Sequence, residues 1–406
     1  MKQTSTSQPV SELSFRQLAI AVYLPSFLVA IGLGAGIPFL PLFAQDLGAD
    51  LGLTGLIISF NEFGILLFDL PGGLIISRIG SKKAMVLSGV FSIAVAVLTG
   101  LTTNLVWLGV MIFLRGVTES AWQVARLTFL RHAIPAAIRG RSLSLIGGIT
   151  RIGRFIGPIA GGFIVASLGY AYVFYFQALL TLSGFLVLAL ATRRIQDICG
   201  TGGRAGFRNI GSLLVKKRKI FATAGSGMVA LSLLRTARSI IIPLWGSYIG
   251  LSVTEIGLVF GIGSAIDMVM FIPAGQLMDR LGRKWAALIS TCGIAVSFIL
   301  VPFTTGFSTF LLVSLLMGIT NGMGSGINMT LGSDLASDES PEQFISVWRF
   351  ITDAGRTAGP LLIGGVAQAV TLAASCIATG GFGIFGVILM AFTLPETLRR
   401  KKKKQS

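Results

Sequence analysis

The chain alternates long apolar runs with short polar or basic segments. An α-helix needs about 20 apolar residues to cross the hydrocarbon of a bilayer, and measured against that length the sequence predicts twelve spans. They lie at 17–44, 53–77, 84–103, 105–128, 142–168, 171–192, 220–248, 253–277, 285–304, 307–331, 344–370 and 373–395. Because every backbone amide in lipid must be bonded internally, runs of this length form helices. We therefore expect an all-α membrane protein.

Lysine and arginine lie mainly in alternate loops and predict the topology. The positive-inside rule places those loops and both termini in the cytoplasm. The expected location is a bacterial inner membrane. The first 16 residues lack the short apolar core of a cleaved secretory signal, so the first span should be retained. The net charge of +17 is then mostly a topology signal, and we expect no nucleic-acid partner. The low charged fraction of 12% argues against a water-soluble enzyme.

A repeat with a constant offset of 202 residues divides the chain into two halves. We predict two pseudo-symmetric six-helix bundles at 17–192 and 220–395, joined by a basic linker at 193–219 and flanked by segments 1–16 and 396–406. Anionic lipid of the inner leaflet is the expected partner of the basic linker and tail. Parallel halves of this kind are a transporter architecture with the substrate bound between them near the midplane. The matched pairs include Pro41 and Pro243, Gly55 and Gly257, and Pro158 and Pro360.

Three segments resemble motifs of the major facilitator superfamily. Residues 273–284, PAGQLMDRLGRK, are similar to the loop after the second helix of each half, and residues 71–83, PGGLIISRIGSKK, to its first copy with Ser77 in place of an aspartate. Residues 153–162, GRFIGPIAGG, resemble the fifth-helix motif of exporters, and the set is most similar to that of the twelve-span drug:proton antiporters. The motif residues are Gly73, Arg78, Gly80, Gly275, Asp279, Gly282, Arg283, Gly153, Gly157, Pro158, Gly161, Gly359 and Pro360.

These motifs also have physical interpretations of their own. Glycine permits a tight turn in each loop, and Asp279 and Arg280 are placed to form ion pairs with the other half that break during transport. A plain positive-inside turn is the alternative. Glycines spaced by four leave one face of the fifth helix free for close contact. Pro158 and Pro360 weaken their helices locally, and we expect the helices either to bend there when the transporter changes conformation or to pack statically.

Charged residues inside the predicted spans are the main candidates for a site. Each would cost about 2.5–3.5 kcal/mol at a helix centre in lipid, so they must line a watery cavity or pair inside the bundle. Arg115 and Glu119 have i,i+4 spacing, and Asp353 has arginines four residues before it and three after it. The resemblance implies a cavity lined by helices one, four, seven and ten. The predicted substrate-binding residues are Arg115, Glu119, Arg235 and Arg238.

The resemblance also sets helix five against eight and helix two against eleven. On that plan we expect Arg154 to meet Asp267, and Arg356 to meet Glu62 or Asp69. Such pairs would either open and close with the transport cycle or remain permanent supports of the fold.

Coupling to protons requires a buried carboxylate that gains and loses a proton near neutral pH. Glu119 and Asp267 are preferred because both lie near mid-span. Sodium stays open, although no cluster of oxygen ligands supports it. Three cysteines and one histidine supply no metal site, and no phosphate-binding loop of the GKS type occurs, so we expect no metal, no cofactor and no enzyme activity. The full set of candidate proton carriers is Glu119, Asp267, Glu62, Asp69 and Asp353.

The function predicted from these features is proton-coupled efflux of a small amphiphilic, neutral or anionic compound by alternating access, by a monomer. Helix one has no acid before Asp46, and the cavity candidates are rich in arginine, which argues against cationic drugs. A proton-coupled uptake symporter or a uniporter for an organic anion or sugar is the first alternative. An intramembrane lipid-modifying enzyme is a remote one.

Overall fold

The computed structural model describes residues 19–134, 136–191, 215–336 and 341–398, and every regular element in those ranges is helical. Residues 1–16, 193–214 and 399–406 of the predicted terminal and linker segments lie outside the described ranges. We number twelve long elements in chain order. They are α1 (Ala19–Gly36, continued by Leu40–Asp46), α2 (Leu51–Ile79), α3 (Ser81–Gly100), α4 (Leu105–Ala133), α5 (Ala136–Leu168), α6 (Tyr170–Ala191), α7 (Arg218–Tyr248), α8 (Val253–Val269 and Phe271–Arg280), α9 (Arg283–Leu300), α10 (Phe307–Met323 and Ile327–Leu335), α11 (Pro341–Ala369) and α12 (Leu372–Thr393).

Within the described ranges, ten of these helices are long and apolar enough to cross a membrane, and α8, whose two parts are bent by 42°, makes an eleventh. The remaining helix, α11, has 29 residues but carries Arg349, Asp353 and Arg356, which lower its hydropathy. It packs against α2, α7 and α12. Charged side chains in that position have protein or cavity around them instead of lipid, as their insertion cost requires.

The 202-residue repeat is visible in the backbone. Gly48 and Gly250 both adopt positive φ, at 91° and 79°, after the first helix of each half. The next helix then begins with an equivalent cap, because Asp50 and Ser252 each accept a hydrogen bond from the amide three residues on. The turns between the second and third helices match as well. There, Gly80 and Gly282 have φ of 93° and 112°.

Helices α1–α6 pack as one bundle and α7–α12 as a second, so the chain has the predicted architecture of two six-helix bundles. The bundles meet mainly where α5 packs against α8 and α2 against α11, as the resemblance implied. We call the end of the molecule with the turns at Gly80 and Gly282 the basic face. The end with the turns at Gly48 and Gly250 is the opposite face.

Two backbone contacts join the bundles in the part of the helices toward the opposite face. A Cβ added at Gly257 would lie 2.5 Å from the carbonyl oxygen of Pro158, and one added at Gly55 would lie 2.5 Å from that of Pro360. The two contacts are related by the 202-residue offset. We call them the glycine contacts, because only residues without a side chain allow helices to approach this closely.

The other motif glycines have two different environments. Gly153 and Gly157 pack against α1 within their own bundle, and Gly359 packs against α7 in the same way. Gly161 also lies against α1. Gly73 and Gly275, in contrast, lie inside helices with nothing within 4 Å of an added Cβ, so neither forms the loop turn or a close packing contact.

Candidate functional site

A stripe of side chains on α4 lines a cavity in the N-terminal bundle. Arg115, Glu119, Trp122 and Arg126 follow the spacing i, i+4, i+7 and i+11, which places them on one face of the helix. The larger of the two cavities along this stripe, which we call the main cavity, has a volume of about 130 Å³ and lies between α1, α4 and α5. A smaller cavity adjoins it at Arg115, Glu119 and Trp122. A wider apolar cavity of about 420 Å³ between α2 and α4 has no charged side chain in its lining. The main cavity is lined by Ser26, Val29, Ala30, Leu33, Gly34, Glu119, Trp122, Gln123, Arg126, Thr150 and Arg154.

The arginines of this stripe contact α1 and not a carboxylate. Arg115 donates to the Leu33 carbonyl at 3.2 Å, and Arg126 donates to the Ser26 hydroxyl at 3.1 Å. The Nε atoms of both arginines are buried with no hydrogen-bond acceptor in the described part of the chain. The guanidinium of Arg126 also lies 5.5 Å from the ring centre of Trp122, within range of a cation–π interaction.

The i,i+4 spacing of Arg115 and Glu119 allows an ion pair, but none is formed among the described residues. Glu119 instead accepts a hydrogen bond from Gln123, one turn further along α4, at 3.2 Å. The side chain of Arg115 turns to α1, where a backbone carbonyl is available. Both predicted residues therefore lie at the cavity, but as separate groups.

The expected pair of Arg154 with Asp267 is wrong, because Arg151 takes that position. Arg151 Nη1 lies 3.2 Å from Asp267 Oδ2. The antiparallel packing of α5 and α8 explains the choice. An added Cβ at Gly257 meets Pro158 and one at Gly261 meets Phe155, and continuing along both helices brings Arg151 opposite Asp267. Arg154 is exposed in the main cavity and has no hydrogen-bond or carboxylate partner in the ranges described.

Asp267 lies at the centre of a network that joins the two bundles. Asn321 donates to its Oδ1 at 2.9 Å, and Arg151 also donates to the Ser325 hydroxyl at 3.3 Å. The network lies at two irregular points of the C-terminal bundle. Asp267 precedes the bend of α8 at Met270, while Asn321 lies just before the break in α10 and Ser325 lies within it. One arginine of the N-terminal bundle thus bridges both irregular helices.

Arg235 and Arg238, the predicted substrate ligands on α7, lie within the C-terminal bundle and line none of the cavities described above. Arg235 donates at 2.8 Å to the Gly324 carbonyl, a backbone oxygen in the break of α10 that also accepts from the Ile327 amide at 3.2 Å. Arg238 is buried, with its guanidinium 5.9 Å from the ring centre of Phe260. Its Nε and Nη2 have no acceptor among the described residues.

Helices α2 and α11 contribute two further ion pairs between the bundles. Glu62 contacts Arg356 at 2.8 Å, which is one of the two pairings considered from the sequence. Asp69 contacts Arg349 at 3.1 Å and also accepts a hydrogen bond from Ser120. Asp353 lies between the two arginines on α11, yet in the described part of the chain it forms no ion pair, because both arginines reach across to α2.

The second signature loop forms its contacts within its own bundle, which corrects the expectation of pairs with the other half. Arg283 contacts Asp334 at 3.1 Å and Asp279 at 3.6 Å. The Glu396 carboxylate accepts from the Arg283 and Lys284 amides and so caps the N-terminus of α9, next to the Gly282 turn. Asp279 and Arg280 are exposed, Arg280 with no partner among the described residues. Arg78 of the first copy lies in the last turn of α2.

Sequence reasoning missed Arg126, Gln123 and Ser26 as cavity residues. The stripe on α4 contains the signal for Arg126, since it lies seven residues after Glu119 and four after Trp122. Ser26 could not be found in this way, because it is placed by the packing of α1 on α4 and α5. No group of three or more metal-ligating side chains occurs within the described ranges.

Comparison with known proteins agrees with this architecture. The family described as Major Facilitator Superfamily matches residues 22–237 and 224–406. The multidrug resistance protein MdtG of Proteus mirabilis is 29% identical over 178 residues, which are 43% of this chain and 44% of that protein. MdtG of Klebsiella pneumoniae is 25% identical over 194 residues, 47% of each chain. The matched segment therefore spans less than half the length of these relatives.

Two solved structures illustrate the similarity of the fold. The nucleoside transporter NupG superposes with a TM-score of 0.78 at 12% identity, covering 93% of this chain and 100% of that one. A D-xylose-proton symporter superposes with a TM-score of 0.73 at 13% identity, covering 94% and 98%. At these identities the comparison concerns the fold alone.

Proposed function

This chain belongs to the major facilitator superfamily, and from that membership we propose that it is a secondary transporter that exports a small amphiphilic, neutral or anionic compound in exchange for protons. Relatives named as multidrug resistance proteins support the direction of transport. On this proposal the basic face and both termini lie in the cytoplasm, and the protein works as a monomer in a bacterial inner membrane.

The observation that carries the proposal is the chemistry of the contact between the bundles. Three ion pairs, Arg151 with Asp267, Arg356 with Glu62 and Arg349 with Asp69, each take one partner from each bundle. Closer to the opposite face, the bundles meet through the glycine contacts instead of ion pairs. Rocking of the bundles would exchange access between the two faces around the cavity, and each ion pair would have to break or shift during that movement.

We propose Asp267 as the proton carrier, because among the candidate carboxylates it lies next to both the bend of α8 and the break in α10. Its carboxylate holds Arg151 of the other bundle and Asn321 of α10 together. Protonation would remove the negative charge and with it most of the attraction to Arg151. The loss would loosen the bridge between bundles next to the bend of α8 and the break in α10, so that proton binding and movement are linked at one side chain.

Proton flux in proteoliposomes tests the proposal. Vesicles carrying a pH dye and an inside-acid gradient are exposed in turn to benzenesulfonate, benzenesulfonamide and benzylamine, and the internal pH is followed. Release of the gradient by one of these compounds in wild-type vesicles, and its loss in Asp267→Asn, is the expected result. Uptake of a compound with no accompanying change of internal pH, or driven by a sodium gradient instead, would contradict proton exchange.

A further inference from the structure

The cavity between α1, α4 and α5 has more positive than negative charge. Arg126 and Arg154 line it together with one acid, Glu119, and Arg115 lies next to it in the adjoining cavity. In the described part of the chain none of these three arginines is within ion-pair distance of a carboxylate. The arginines on the contact between the bundles differ, since Arg151, Arg349 and Arg356 each have an acid within 3.2 Å. The two adjoining cavities together therefore hold three arginines and one acid, a net charge of +2.

The hydrogen-bonding capacity of the cavity is also incompletely used. Arg126 donates from one nitrogen, Nη1, to the Ser26 hydroxyl, while its buried Nε has no acceptor in the ranges described. Arg154 has no hydrogen-bond partner there at all. A guanidinium has five donors in a fixed fork and binds carboxylate, sulfonate or phosphate oxygens in pairs. The oxygen atoms of an anion would satisfy both of these side chains.

The remainder of the lining limits the size and polarity of that anion. Trp122 forms an aromatic wall, and Val29, Ala30 and Leu33 form an apolar side. The volume of about 130 Å³ is close to that of buried apolar cavities that accept one benzene molecule, about 150 Å³. A compound that matches both parts has one aromatic ring or a short apolar chain, together with one anionic group.

We propose that this cavity binds small amphiphilic anions, with the anionic group held by Arg126 and Arg154 and the apolar part against Trp122. The proposal deepens the proposed function by naming the charge class of the exported compound, and it rests on that function only for the statement that the bound anion is transported. Glu119 opposes anion binding while it is charged. Its neutralisation should therefore strengthen binding, which is an effect that damage to the fold would not produce.

Calorimetric titration of the purified full-length protein tests the binding claim. An uncharged detergent and a chloride-free buffer keep lipid headgroups and inorganic anions from competing. Benzenesulfonate is the anion, benzenesulfonamide is its neutral counterpart of nearly equal shape, and benzylamine is the cation. We expect the sulfonate to bind at least tenfold more tightly than the sulfonamide, because a charge-assisted hydrogen bond is lost in the neutral compound.

Three variants connect the binding to the named residues. Arg154→Gln should weaken binding of benzenesulfonate at least tenfold, and since Arg154 is exposed this variant should fold normally. Glu119→Gln should tighten binding several-fold. Arg218→Gln removes an exposed arginine at the start of α7, far from the cavity in the chain, and should change the affinity less than twofold.

Equal affinities for the sulfonate and the sulfonamide, wild-type affinity in Arg154→Gln, or no binding of the anion would each overturn the proposal. The outcome is separate from that of the proton-flux measurement. If the sulfonamide or benzylamine is exported with proton exchange while the sulfonate does not bind, the proposed function stands and the anion site fails. If the sulfonate binds through Arg154 without any proton movement, the anion site stands and proton-coupled export fails.

Discussion

In Asp267→Asn the carboxylate that holds Arg151 becomes a neutral amide of nearly the same shape. The two charges lie 3.2 Å apart, which corresponds to roughly 5 kcal/mol of attraction at an effective dielectric constant of about 20. Desolvation of both ions offsets part of this attraction, and removal of one partner from a buried pair costs about 3–5 kcal/mol. The lower end applies here, because Arg151 keeps its contacts with Ser325 and with the ring of Phe271.

A loss of about 3 kcal/mol changes the ratio of two conformations roughly 100-fold. We therefore expect Asp267→Asn to fold and to exchange substrate across the membrane without a gradient, but to show no proton-driven accumulation. The assay compares counterflow with pH-driven flux in the same proteoliposomes. Asp46→Asn is the matched control, because it removes an exposed carboxylate at the end of α1. Wild-type proton-driven accumulation in Asp267→Asn would show that the Arg151–Asp267 pair does not couple protons to transport.

Three other substitutions test further parts of the structure. Gly364→Ala should lower transport several-fold, because its Cβ would lie 2.7 Å from a carbonyl of α2. Gly365→Ala is the control, since its Cβ would meet nothing within 4 Å, and its transport rate should remain within twofold of wild type. Equal rates in the two variants would contradict a role for the close contact. Gly282→Ala should lower the free energy of unfolding by about 1–3 kcal/mol, because φ is 112° there. The loss is detected as a lower midpoint of thermal unfolding in detergent. Arg235→Gln should reduce transport at least tenfold while size-exclusion profiles stay normal, because the break in α10 loses its charged hydrogen bond from α7 and the Gly324 carbonyl keeps only the Ile327 amide. Unchanged transport would remove Arg235 from the mechanism.

The periodic features of the fold could be predicted from sequence, because they depend on local composition. Apolar runs gave the helices, and the 202-residue offset gave equivalent turns at Gly80 and Gly282. The break in α10 was not predicted. It falls within the predicted span 307–331, where the sequence NGMGSG is apolar enough to pass as continuous helix, and the left-handed conformation of Gly326 ends the regular hydrogen bonding.

The partners of the charged residues were predicted less well, because they depend on the register between helices. Arg151 and Arg154 differ by less than one turn of α5, and only the packing of α5 on α8 decides which one faces Asp267. In the same way, Asp353 has suitable arginines on its own helix, but Glu62 and Asp69 lie opposite those arginines on α2. Spacing within one helix identifies neighbours, while tertiary packing selects among them.

The glycine contacts differ from the ion pairs in how they respond to the surroundings. Carbonyl oxygens of Pro158 and Pro360 lie against Gly257 and Gly55, so no titratable side chain takes part. Separating these surfaces exposes backbone carbonyls and glycine Cα atoms and changes no charge. The cost of opening the molecule at the opposite face should therefore be nearly the same at any pH or ionic strength, while the cost of parting Arg151 from Asp267 falls when protons or salt are added. Acidity would then lower the cost of separating the ion pair and leave the cost of separating the glycine contacts unchanged. A fall in pH would therefore favour one of the two opening movements over the other.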